Sequence, residues 1–188
     1  MPDANYTGGI DVSLRAPDSL RVKVTGPFGV LMGIVGATRE HYTIYNAWDN
    51  TVSQGALAPG APLPFSGFPF SFDDAMQFLR GLPPVSQGAM TVVSPSCVEG
   101  HDGMGRYFKC ELDDNGGRKA LIRDASGGQA YEYFRDFRAV NGVQYPYHIA
   151  AQLKGRGSVT IDFDEVSVNS AGLDFSVPIP SSATSTNR

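Results

Sequence analysis

Ile10-Asp11-Val12-Ser13-Leu14-Arg15-Ala16-Pro17-Asp18-Ser19-Leu20-Arg21-Val22-Lys23-Val24-Thr25 is the stretch that decides the fold. Apolar side chains occupy every second position on both sides of Ala16-Pro17-Asp18. A period of two places them on one face of an extended chain, so the stretch reads as two antiparallel strands with one wet face, joined by a short turn.

The same pattern continues outward. Gly26-Pro27-Phe28-Gly29 is a second turn, residues 30–35 are apolar or Gly on both faces, and 41–47 carry the meander on. Residues 52–70 hold four prolines, which lack the donor a central strand needs, and are expected to form a long loop. One helix follows. Ser71 is a good N-cap, Asp73 and Asp74 complement the positive helix start, and Phe72, Ala75, Met76, Leu79 and Leu82 recur at helical spacing before Arg80-Gly81 and Pro83-Pro84 close it. Further strands are expected near 89–94, 106–112, 118–124, 130–140, 143–154 and 158–168, separated by Gly-rich turns of which Asn141-Gly142 suits a type I′ hairpin best. The Ser-, Thr- and Pro-rich end, 179–188, is expected to be a flexible tail. The expectation is a mainly β fold of about ten antiparallel strands, curled into a half-open antiparallel barrel with a helical lid.

Composition excludes several classes. With 41% apolar and 18% charged residues, 22 Gly and 13 Pro, the chain has the balance of a turn-rich folded domain. Its net charge of −4 and dispersed Lys and Arg offer no basic stripe for a phosphate backbone, so nucleic acid is not expected as a partner. Its apolar runs fall far short of the roughly 20 residues of a membrane-crossing helix. Met1-Pro2-Asp3 has neither the basic start nor the apolar core of a secretory signal.

Motifs for chemistry are absent: no Gly-x-Ser-x-Gly elbow, phosphate loop or His-Glu-x-x-His helix occurs, and His41, His101 and His148 fall on different expected elements. Cys97, His101, Asp102 and Cys110 have no spacing of a common zinc module, so neither a metal nor a cofactor is expected. Cys97 and Cys110 flank a Gly-rich tip and lie opposite each other if the strand indices sum to 207; a disulfide and two free thiols are the alternatives. Asp113-Asp114 and the Asp162/Asp164 pair read as wet strand or turn residues, and no enzyme activity is expected.

The apolar inventory is more informative. Eleven Phe and eight Tyr include Phe65, Phe68, Phe70, Phe72 and Phe78 in the loop and helix, which together read as a lid. A partly filled barrel would leave an apolar groove for acyl chains, and a solid core of the same side chains is the alternative. Phe28, in its tight turn, is either exposed toward a membrane or partner, or folded back onto the rim.

Leu20-Arg21-Val22-Lys23-Val24-Thr25-Gly26-Pro27-Phe28-Gly29 and His41-Tyr42-Thr43-Ile44-Tyr45-Asn46 resemble the outer-membrane lipoprotein receptor LolB and the related LolB-like proteins grouped as a domain of unknown function. The helix Phe72-Asp73-Asp74-Ala75-Met76-Gln77-Phe78-Leu79-Arg80 followed by Gly81-Leu82-Pro83 is similar to the same receptor. Tyr145-Pro146, Ile161-Asp162-Phe163, Val166-Ser167-Val168-Asn169, Phe175 and Pro178 are similar to the end of the periplasmic carrier LolA. The resemblance covers most of the chain and is weakest over 89–138.

It implies a single LolA/LolB-like domain over 1–178 and an unclosed barrel whose interior accommodates lipid or lipoprotein acyl chains. The opening helix, first strand and lipid-modified Cys of the receptor have no counterpart before Tyr6. Cavity-lining candidates are Val22, Val24, Leu31, Ile44, Met76, Leu79, Ile149, Ile161 and Phe163, and Phe28 is placed at the turn that engages the membrane surface. The implied setting is the periplasm or the periplasmic face of the outer membrane of a Gram-negative-type bacterium, with a lipid anchor in the full-length precursor and an envelope protein as a further partner. A non-catalytic structural or interaction module of an envelope assembly is the alternative, and an enzyme acting on lipids or glycans is least favoured.

Overall fold

A computed structural model describes residues 8–64, 70–83, 90–124, 127–155 and 157–186. The chain is mainly β, with two antiparallel-dominated sheets of six and seven strands and one short helix, and no closed barrel among the described residues. It divides into two compact units, one of Met1–Leu63, Ser71–Met76 and Ala171–Arg188, the other of Pro64–Phe70 and Gln77–Ser170.

The first unit holds the meander β1 (Gly9–Arg15), β2 (Ser19–Thr25), β3 (Leu31–Thr38), β4 (His41–Asn46) and β5 (Thr51–Ala56). The register of β1 on β2 pairs Ile10 with Val24, Val12 with Val22 and Leu14 with Leu20, as the alternation requires. β5 corrects the expected loop over 52–70. The prolines of that stretch begin at Pro59, so 51–56 keep every backbone donor and pair with β4.

The chain end is a second correction. Instead of a free tail, Thr184–Ser185 forms the last strand of the chain, parallel to β5, and the residues before it cross one face of the sheet. Arg21 Nε donates to the Ser176 carbonyl at 2.9 Å, the Arg15 guanidinium stacks on Phe175, and Asn50 Nδ2 donates to the Ser182 carbonyl at 2.9 Å. A methyl group on Gly36 would stand 2.6 Å from Val177, so only glycine lets the segment lie this close.

The second unit is a meander of β6 (Met90–Ser94), β7 (Cys97–His101), β8 (Tyr107–Leu112), β9 (Arg118–Arg123), β10 (Gln129–Val140), β11 (Val143–Leu153) and β12 (Gly157–Asp162). With the strand of 184–185 named β13, the described residues hold three strands more than expected, because β5, β7 and β13 read from sequence as loop, hairpin tip and tail. β12 stops at Asp162, short of the expected residue 168. The inner face carries Phe108, Ala120, Ile122, Ala130, Phe134, Ile149, Ala151 and Leu153, all buried. Asn141 and Gly142 both have positive φ, 48° and 80°, as the β10–β11 turn demands.

Of the two alternatives for Cys97 and Cys110, the structure holds the free thiols. β7 pairs with β8 in a register summing to 208, so Cys97 faces Glu111 and Cys110 faces Val98. A slip of one residue puts the two thiols on opposite faces of the sheet, and both are free.

The one α-helix among the described residues, α1, spans Phe72–Leu79. Ser71 Oγ accepts the Asp74 N–H at 3.2 Å while the Asp74 carboxylate accepts the Ser71 N–H at 3.0 Å, a reciprocal cap in which Asp takes the role usual for Glu. At the other end Gly81, at φ 71°, donates to the Phe78 carbonyl and Leu82 donates to that of Gln77, both at 3.0 Å, which closes the helix in a Schellman turn. Phe78 packs on Phe70 and Phe134, with ring centroids 5.8 and 5.9 Å apart. Phe65 and Phe68 lie outside the described residues.

Candidate functional site

Strand register sorts the apolar side chains of the six-stranded sheet into two faces. Ile34, Tyr45 and Val52 share a cross-strand row on one of them, the face crossed by the 173–182 segment, and are buried. The opposite face carries the rows Val12–Val22–Val35–Ile44 and Ile10–Val24–Gly33. Its side chains are only partly covered. Exposure falls along β2 from 39% at Val24 through half-buried Val22 to 2% at Leu20, and Ile10, beside Val24, is 37% exposed.

The start of α1 stands at the covered end. Arg39, two residues beyond Ala37, forms an ion pair with Asp73 at 2.8 Å, and Leu20 and Ala37 are buried there. The result is an apolar strip about three residue pairs long, closed at the helix end and open at the other.

Val22, Val24 and Ile44 of the expected cavity wall lie on this strip. Leu31 does not share their row, because a bulge between Val24 and Thr25 sets it against Thr25. Met76 belongs to the same unit and is buried. Leu79, Ile149, Ile161 and Phe163 belong to the second unit, where Leu79, Ile149 and Ile161 are core: Ile149 is paired with Phe134 and Ile161 and has no exposed surface. None of the nine residues lines either of two hollows found among the described residues. One, of about 240 Å³, lies against Gly36, Thr43, Gln54, Phe175 and Val177; the other, of about 320 Å³, against Ser94, Cys97, Glu111 and Lys119.

Phe28 is fully exposed. It sits in one turn of 3-10 helix, Pro27–Gly29, at φ 62° and ψ 20°, a left-handed conformation that costs a bulky residue on the order of 1–2 kcal/mol. The Gly26 N–H bonds the Val30 carbonyl at 2.8 Å, which shuts the turn behind it.

Two features had no counterpart in the sequence reading. Trp48, in the β4–β5 turn, is 81% exposed. Glu132 is 1% exposed on the inner face of the seven-stranded sheet, between Ala120 and Ala151 in the row that continues to Cys110. Burial first, then the charge of Glu132 and the Cys97 thiol, push the Cys110 thiol from 9.0 up to about 12. At neutral pH Cys110 is therefore protonated and a weak nucleophile. His148 Nδ1 lies 2.6 Å from the Asp162 carboxylate on the outer face. Among the described residues no three His, Cys, Asp or Glu side chains converge to hold a metal ion.

No protein-family model matches the chain, and no curated protein matches its sequence.

Proposed function

We propose that this chain is a lipid- or lipoprotein-binding protein of the bacterial envelope, a non-enzymatic LolA/LolB-like half-open barrel that accommodates acyl chains. The reading includes the periplasm or periplasmic face of the outer membrane as its place of work. The observation that carries it is the apolar strip of Ile10, Val12, Val22, Val24, Val35 and Ile44, which keeps water contact although every member is a strong core former. Each acyl methylene laid on such a surface contributes up to ~0.8 kcal/mol, so micromolar affinity, about 8 kcal/mol, takes on the order of ten methylenes buried at full value. Binding here needs no covalent step: the chain would be held by apolar contact and released by partition. The buried Leu79, Ile149 and Ile161 are assigned to the core, and the contact surface is drawn to the six-stranded sheet.

A second reading, a structural or interaction module of an envelope assembly, is favoured by one observation: four of the nine expected wall residues, Met76, Leu79, Ile149 and Ile161, are already buried. Titration of the purified chain with a fluorescent fatty acid, together with native mass spectrometry, separates the two. Saturable binding displaced by unlabelled palmitate supports the lipid reading; a lipid-free chain that binds none leaves the module.

A further inference from the structure

The six-stranded sheet has two unlike ends. At one end the β1–β2 and β3–β4 turns carry Asp18, Arg39 and Glu40. At the other, the β2–β3 turn (26–30) and the β4–β5 turn (47–50) hold Phe28, Val30 and Trp48, and Asp49 is their sole charged residue. Register places these two turns side by side: β3 pairs with β4 from Gly33 opposite Asn46, and the Ala47 N–H donates to the Met32 carbonyl at 3.0 Å. Two strand spacings separate the turn centres, roughly 10 Å.

Both tips are held rigidly with their aromatic groups in water. Trp48 N–H donates to Asn46 Oδ1 at 3.0 Å, Thr51 Oγ1 donates to the Asp49 carboxylate at 2.6 Å, and Asn50, at φ 53°, accepts from Tyr45 Oη while its amide holds Ser182. Nothing in these bonds requires a Trp at position 48. A large amphipathic ring on a fixed turn, next to an exposed Phe and an exposed Val, matches the depth at which Trp settles in a bilayer interface.

The geometry points to a second membrane anchor: Trp48 and Phe28 together dock this end of the sheet on a lipid bilayer, driven by apolar insertion and not by headgroup charge. The inference goes with the reading of Phe28 as a membrane-contact residue and does not depend on acyl-chain binding. No cation stands in either turn, and Lys23, at the end of β2 that leads into the first turn, is paired with Asp11 at 3.7 Å, so anionic lipid gains nothing over zwitterionic lipid. Docked in this way, the open end of the apolar strip, at Ile10 and Val24, meets the bilayer, and the closed helix end points away from it.

Trp48 is the sole tryptophan of the chain, so its emission reads the contact directly. Phosphatidylcholine vesicles are added to the full chain, with and without lipids brominated in the acyl chain, and cosedimentation is measured in parallel. A blue shift, quenching by the brominated lipids, and equal binding when phosphatidylglycerol is included are expected. Trp48→Ser and Phe28→Ser should each weaken cosedimentation roughly tenfold, the value of one buried aromatic side chain. Trp48→Phe should retain it, and fatty-acid binding in vesicle-free buffer should be unchanged in all three. Cosedimentation without a change in emission would overturn the role of Trp48. Binding only to anionic vesicles, lost in salt, would overturn apolar docking, and no cosedimentation at all would overturn both anchors. Loss of fatty-acid binding in the unaltered chain, with the emission response intact, would instead remove the acyl-chain reading and leave this one standing.

Discussion

Phe28 combines an unfavourable backbone conformation with complete exposure, so neither local preference nor burial accounts for Phe there. Asn tolerates the left-handed region far better. Phe28→Asn is therefore expected to raise folding stability by about 1 kcal/mol, seen as a higher Tm, while vesicle association falls; a lower Tm would mean that the ring packs somewhere after all. Cys110 gives the second residue-scale prediction. Its thiolate is disfavoured by burial beside Glu132, so in the folded chain iodoacetamide should leave Cys110 unmodified at pH 9, where an ordinary thiol is half ionised. The sign of the linked stability follows from the same shift. The unfolded chain loses this proton near pH 9.0 and the folded chain at about 12. Stability that is fully present below pH 9 is thus lost progressively as pH rises toward 12, and Cys110→Ala should flatten that part of the decline.

Elements were legible where their two faces differ in chemistry. The 10–25 hairpin, the helix and the Asn141-Gly142 turn each carry their own signal, and each forms at the expected residues. β7 was not legible. Cys97-Val98-Glu99-Gly100-His101 alternates no clear apolar set, and its partner β8 supplies the pattern. Glu132 was hidden by Tyr131 and Tyr133, which make the outer face of β10 look like the inner one. Trp48 was open to the argument applied to Phe28, since it stands in a turn beside Asp49-Asn50, but the register that brings the two turns to one end exists only in the folded sheet. Likewise the chain end lacks periodicity, and its place over Arg21 and Gly36 depends on a face built far away in sequence. The helix terminus is a direct test of element-level reasoning. A methyl group on residue 81 would run into the Pro146 ring, and alanine would have to hold φ 71°, so Gly81→Ala should destabilise by about 2 kcal/mol or more in urea unfolding; a change under 0.5 kcal/mol would contradict the close approach.

At the scale of the whole molecule, the two units divide the apolar inventory unequally. The seven-stranded sheet buries Phe108, Phe134 and Ile149 almost completely, whereas the six-stranded sheet leaves a strip of Val and Ile half wet beside two aromatic turns. The mainly β class follows from the alternation; the distribution of filled and unfilled faces does not, because a greasy face that packs and one that binds have the same composition. The central claim is that acyl chains lie on the strip of the six-stranded sheet. Photo-crosslinking of a diazirine-bearing fatty acid to the purified chain, followed by mass mapping of the adducts, tests it most directly. The account predicts adducts on the peptides containing Ile10, Val22–Val24 and Val35–Ile44, suppressed by excess palmitate and by Val22→Glu. Adducts confined to 90–162, or labelling that excess palmitate leaves unchanged, would contradict it.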